Sequence, residues 1–170
     1  DGLGTWTFTL PSGLSDGGHS VSATARDAAG NLSAASTPVA FTVDTSAPLP
    51  PLVTSPVAGT TLSSGSPTFT GTAEANSSVA VEVDGVVVGT VTATAAGTWS
   101  LLAPSPLADG SHVVRARSTD GVGNVSAPGP AVSFSVDTSA PAVPVLTTPV
   151  SGAALANNRP LVQGTADPGA

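Results

Sequence analysis

Hydrophobic residues in this chain recur at every second position in short runs, and the runs are separated by Gly, Pro, Asp and Asn. Between Ser78 and Asp84 the alternation is strict: Val79, Val81 and Val83 stand against Ala80, Glu82 and Asp84, as expected of a strand with one buried and one wetted face. Asp84-Gly85 interrupts before a second Val-rich run, Val86 to Thr94, and two residues that tolerate positive φ at that place predict a hairpin. Further strands are predicted at Leu52 to Thr54, where Pro48, Pro50, Pro51 and Pro56 mark a sheet edge, at Thr68 to Thr72, Gly97 to Leu101, Val113 to Thr119 and Val132 to Val136. No window of helical length combines helical period with helix-forming residues. The class expected is all-β: antiparallel two-sheet sandwiches of the immunoglobulin-like type, with about seven strands in each.

The pattern occurs twice. At an offset of 93, residues 1–77 and 94–170 coincide at 34 of 77 positions without a gap. This tandem repeat divides the chain into the C-terminal part of one unit over 1–46, a complete unit over 47–137, and the N-terminal part of a third over 138–170. On this reading the chain is a window on a longer array. The connector Asp44 to Pro51 holds three prolines and no glycine, so it is expected to be short, extended and semi-rigid. Strands of the first unit are expected at Gly4 to Phe8, Ser20 to Arg26 and Val39 to Val43, by correspondence with the second.

Composition narrows the function. With 16 Pro and 19 Gly the chain has turn material enough for disorder, but the regular alternation of Val, Leu and Phe argues that it folds. Zero Cys removes disulfide staples, leaving an apolar core or bound ions to hold each unit. A net charge of -7, with Arg26, Arg115, Arg117 and Arg159 the only cations, argues against nucleic acid and against an anionic membrane surface. No apolar run is long enough for membrane insertion in this segment.

Candidate chemistry is sparse. Trp6 and Trp99 recur in Gly-Thr-Trp and are expected to anchor the core, the other reading being a sugar-stacking platform. His19 and His112 are repeat-equivalent and are expected to satisfy turns at the start of their strands. There is no Cys and no His-Glu-x-x-His, and no Ser has a His and carboxylate set beyond the repeated turn residues, which argues against an enzyme. Asn31, Asn76 and Asn124 each head an Asn-x-Ser sequence that is read as turn chemistry.

Five motifs run in order through the chain: Gly-Thr-Trp, Asp-Gly-x-His, Asp-x-x-Gly-Asn-x-Ser, Val-Asp-Thr-Ser-Ala-Pro and Gly-Thr-Ala-Glu/Asp. Together they resemble the bacterial immunoglobulin-like repeats of large secreted adhesins and biofilm-associated surface proteins. The resemblance implies a structural segment of a long extracellular or cell-surface fibre, stalk or adhesin, acting as a semi-rigid spacer. Its partners would be neighbouring repeats and, in a filament or surface layer, other copies of the chain. A glycan- or partner-binding module, or spacer repeats on a secreted hydrolase, are the other readings.

Eight of the eleven acidic residues form repeat-equivalent pairs: Asp16 with Asp109, Asp27 with Asp120, Asp44 with Asp137, and Glu74 with Asp167. The turn carrying Asp27 and Asn31 and the strand exit at Asp44 are expected at one pole of the sandwich, where oxygens could converge. In the family this chain resembles, calcium at such junctions stiffens the array. The residues that match are Asp27, Asn31, Asp44, Asp120, Asn124 and Asp137, with Glu74 and Asp167 reaching across the seam. The competing reading makes them ordinary turn residues, with Gly30 and Gly123 supplying positive φ, since neither turn has the dense acidic spacing of a self-sufficient calcium loop. Both readings stand at this point.

Overall fold

The computed structural model describes residues 4–168 and contains twelve strands and no helix among them. β1 (Gly17–Val21) and β2 (Val39–Val43) form an antiparallel ladder. Then come β3 (Leu52–Ser55), β4 (Thr61–Leu62), β5 (Thr68–Thr72), β6 (Ser78–Val83), β7 (Val86–Thr92), β8 (Thr98–Leu102), β9 (Gly110–Thr119) and β10 (Val132–Val136). β11 (Val145–Thr148) pairs antiparallel with β12 (Gln163–Thr165). Between residues 47 and 137 the strands make two sheets, ordered β4-β10-β9-β6-β7 and β3-β5-β8. Every pairing is antiparallel except β4 with β10. This is an immunoglobulin-like sandwich.

The core follows from the alternation. Val79, Val81 and Val83 point inward from β6 and meet Phe69, Trp99, Val114, Ala116, Phe134 and Val136, all buried. Phe69 and Phe134 pack edge to face with centroids 6.1 Å apart. The Trp99 indole lies over Gly71, its register partner on β5; a Cβ there would collide with the Leu52 carbonyl oxygen and lie 2.6 Å from Trp99 Cε2. The β6–β7 hairpin turns at Asp84 and Gly85 with φ of 52° and 86°, the left-handed pair that such a turn needs.

Glu82 departs from the simple pattern. It faces the outer side of β6 yet is largely buried, because Arg115 on the neighbouring strand β9 covers it, with guanidinium Nη2 2.5 Å and Nε 3.0 Å from Oε1. Those two donors hold the Glu82 carboxyl below its ordinary range against the desolvation that opposes them.

The predicted elements need three corrections. The eighth strand between residues 47 and 137 is β4, two residues long and formed by parallel pairing with β10, which leaves no periodic trace in the sequence. β9 starts at Gly110, ahead of the predicted Val113, because β10 pairs with it down to Gly110. In the first unit β1 ends at Val21, and Gly4 to Phe8 forms no strand. In the central unit the second half of β9 is held by β6, from Val114 to Thr119, and among the described residues β1 has no such neighbour; beyond it an isolated bridge joins Arg26 to Leu32. For the same reason Trp6 is 71 % exposed where its counterpart Trp99 is 3 % exposed.

Candidate functional site at the seam between units

The repeated acidic residues do three different things. Asp109 precedes β9 and grips the chain that leaves β10. Its Oδ1 accepts the Thr138 N–H at 2.9 Å and the Thr138 hydroxyl at 2.8 Å, and its Oδ2 accepts the Ser139 hydroxyl at 3.0 Å. Asp16 holds Thr45 and Ser46 in the same way, at 2.9, 2.7 and 2.7 Å. These donors lower both carboxyls, the Thr138 N–H foremost for Asp109 and the Ser46 hydroxyl foremost for Asp16. The Thr-Ser of Val-Asp-Thr-Ser-Ala-Pro is therefore a hydrogen-bonding handle on the linker. Sequence reasoning passed over Asp16 and Asp109 here; the available signal was a constant separation of 29 residues from Asp to Thr in both copies.

Asp120 and Asp27 instead close their own turns. Asp120 Oδ1 accepts the N–H groups of Val122, Gly123 and Asn124 at 3.0, 2.7 and 2.8 Å, and Oδ2 accepts Asn124 Nδ2 at 2.8 Å. Partial desolvation pushes the Asp120 carboxyl up, and the Asn124 side chain with the three N–H groups outweighs it and holds it low. Asp27 accepts the Asn31 N–H and Nδ2, both at 2.8 Å, and the Asn31 side chain is the main reason its carboxyl is lowered.

Asp44 and Asp137 follow their strands and accept the N–H of Ser46 and Ser139 at 3.0 and 3.1 Å, two residues on. Glu74 is exposed in the β5–β6 turn, where its carbonyl accepts the Ser77 hydroxyl at 2.7 Å. Asp167 Oδ2 accepts the Ala142 N–H at 2.6 Å.

The expectation that a turn and a strand exit of one unit share a pole is corrected. Asp109 and Asp120 flank β9, and β10 runs antiparallel to it with Val136 opposite Gly110, so Asp137 lies at the Asp109 end. Ten strand residues at about 3.3 Å each put the Asp120 turn about 30 Å from that end. What the Asp120 turn meets is the exit of the preceding unit: Asn124 Nδ2 donates to the Asp44 carbonyl oxygen at 3.1 Å. The linker then enters the central unit. Pro48 and Pro51 are buried, and the Ser118 hydroxyl donates to the Leu49 carbonyl at 3.2 Å. Gly129 approaches the Pro51 carbonyl so closely that a side chain there would strike it. The linker is thus held at one end by Asp16 and at the other by the unit it joins.

Calcium takes six to eight oxygens. The carboxylates of Asp27 and Asp120 are committed to N–H donors on both oxygens, and the described residues contain no group of three or more Asp, Glu, His or Cys that could hold a metal ion. As placed, these side chains act as turn closures.

His112 joins the β6–β7 turn to the loop before β9. Nδ1 lies 2.7 Å from Asp84 Oδ2 and Nε2 2.8 Å from the Ala108 carbonyl oxygen, while Asp84 Oδ1 accepts the Val113 N–H at 2.9 Å. His19 Nε2 lies 2.7 Å from the Ser15 carbonyl, so both histidines satisfy the turn before their strand.

Solved structures similar to this chain include fibronectin(III)-like modules of CbhA from Clostridium thermocellum, at 24% identity and a TM-score of 0.36, covering 49% of this chain and 92% of that one. CopC from Methylosinus trichosporium OB3b is similar at 25% identity and a TM-score of 0.36, over 51% and 93% of the two chains. A 1.5-MDa bacterial ice-binding adhesin is similar at 24% identity and a TM-score of 0.40 over 78% of this chain, which spans 46% of that structure. No curated protein matches the chain. The family described as Bacterial Ig-like domain matches residues 1–45 and 59–138, well over half the length. With its sandwich core and its two copies of the same seam chemistry, the chain belongs to the bacterial Ig-like domain family.

Proposed function

We propose that this chain is a non-catalytic spacer segment of an extracellular or cell-surface array, and that its units are set at fixed angles by direct hydrogen bonding of the linker. The observation that carries this is the double grip on residues 44–51. Asp16 of the unit being left holds Thr45 and Ser46, and Asn124 and Ser118 of the unit being joined hold the carbonyls of Asp44 and Leu49. A linker pinned at both ends transmits orientation from one unit to the next, and repetition of the pinning makes a quasi-one-dimensional rod. Every Phe and Trp between residues 47 and 137 is buried, which favours a spacer over a glycan-stacking module on the central unit. Strands of this length with end loops give a rise of roughly 35 to 45 Å per unit. Electron micrographs of a multi-unit array should show straight rods whose length grows by that increment with each unit. Globules or kinked chains of freely jointed beads would overturn the proposal.

A further inference from the structure

The imidazole of His112 stands between two oxygen acceptors, Asp84 Oδ2 at 2.7 Å and the Ala108 carbonyl at 2.8 Å. A ring nitrogen facing an acceptor is satisfied only when it carries a proton, and a neutral imidazole carries one proton for two nitrogens. Both contacts are therefore made together only by the imidazolium. The side chain is 11 % exposed, with its ring centroid 5.6 Å from that of Phe134. Its charged surroundings are few. From the β6–β7 turn Asp84 touches it; β10 presents the uncharged Phe134; Arg115, further along β9, is committed to Glu82 on the opposite face of the strand. The preceding loop presents Ala108, then Asp109, whose carboxylate is turned to Thr138 and Ser139.

Ala108 and Asp109 are consecutive, so one peptide separates the carbonyl held by the imidazolium from the carboxylate that holds the outgoing linker. The carbonyl contact and the aspartate grip, without the carboxylate partner, recur in the first unit. His19 Nε2 lies 2.7 Å from the Ser15 carbonyl with its ring 5.7 Å from Phe41, and Asp16, the next residue, grips Thr45 and Ser46. From this juxtaposition we infer that the central unit carries a proton-operated clamp on its outgoing linker, in which the protonated His112 fixes the residue before the anchoring aspartate. When the proton leaves, the ionised Asp84 keeps the remaining one on Nδ1. The lone pair of Nε2 then faces the Ala108 carbonyl, that loop loosens, and Asp109 no longer fixes Thr138. Junction stiffness falls as pH rises through the folded value of His112. The Ala108 carbonyl foremost, and then Asp84, raise His112 above its ordinary value, so the clamp stays closed beyond the pH at which an unfolded histidine deprotonates, about 6.5.

The test is an NMR titration of the full chain from acid to alkaline pH, following the ring carbons of His112 and the amide group of Thr138. The Thr138 amide should move with the midpoint of the His112 ring. In His112→Gln the Thr138 titration should vanish while the dispersion of the remaining amide signals reports that the variant is folded. In Asp84→Asn the midpoints of His112 and Thr138 should fall together. A Thr138 amide that stays still while the His112 ring titrates overturns the clamp. So does a Thr138 titration that survives in His112→Gln, or one whose midpoint parts from that of His112 in Asp84→Asn. The wild-type comparison decides the matter even if a variant does not fold.

Discussion

Replacing each tryptophan by alanine gives a matched pair of perturbations, because Trp6 and Trp99 are the same residue in the same motif but are 71 % and 3 % exposed. A buried tryptophan removes on the order of 200 Å² from water, worth about 5 kcal/mol at about 25 cal/mol per Å² and less against a compact unfolded chain. Measured truncations of this kind cost about 3 to 5 kcal/mol, since the cavity collapses only in part. A unit of about 90 residues holds roughly 5 to 13 kcal/mol in all, so Trp99→Ala should remove a large fraction of its stability and lower Tm by about 15 to 30 °C. Trp6→Ala should cost under about 0.5 kcal/mol. Urea unfolding followed by far-ultraviolet circular dichroism reads both without relying on the lost fluorophore. Equal losses at the two sites, or a loss below about 1 kcal/mol at Trp99, would refute the account of the core. Trp99→Phe is the finer test. The buried Nε1 has no hydrogen-bond partner among the described residues, so removing it recovers a desolvation cost and offsets part of the lost volume.

Gly71→Ala should cost at least about 2 kcal/mol by the same assay, because its Cβ meets the Leu52 carbonyl and the Trp99 ring on β5, a central strand that cannot shift. The Asp84–His112 pair makes stability depend on pH in both directions. The His112 contribution is complete below about pH 6.5 and is lost as pH rises through its raised folded value, while that of Asp84 is present above about pH 3.9 and is lost as pH falls through its lowered one. Denaturation midpoints should therefore be highest between about pH 4 and 6.5 and decline on the alkaline side, and the alkaline decline should flatten in His112→Gln. Asp109→Asn, which weakens the hold on Thr138 and Ser139, should speed proteolysis after residue 137 more than Asp137→Asn does, since Asp137 bonds only the Ser139 N–H two residues on. Saturating calcium should leave the melting temperature where a chelator leaves it; a rise would assign the seam carboxylates to an ion by mass action.

Local signals carried most of the fold. Val79, Val81 and Val83 declared the inner face of β6, and Asp84-Gly85 declared the hairpin, because each is decided within a few residues. The site was legible in inventory and not in geometry. The repeat paired the acidic residues, but nothing local states that β9 separates Asp120 from Asp137, since that depends on how β10 pairs back along it. The linker grip by Asp109 closes over 29 residues, and that by Asn124 on Asp44 over 80, distances at which periodicity is silent. Likewise Gly4-Thr5-Trp6 reads as a strand start, yet strand and burial come from neighbours, and among the described residues the strands that enclose Trp99 have no counterpart against Trp6.

The central claim is that the linker is pinned from both sides and so fixes the angle between units. Spin labels on Cys introduced at Ser20 and Ser111, exposed positions on β1 and β9, would report the distance across the seam by pulsed electron resonance. The account predicts one narrow distance, the same in calcium and in chelator, that broadens in Asn124→Ala and broadens further when Pro48 and Pro50 are replaced by glycine. A broad distribution in the unaltered chain, or one that narrows only when calcium is added, would contradict it.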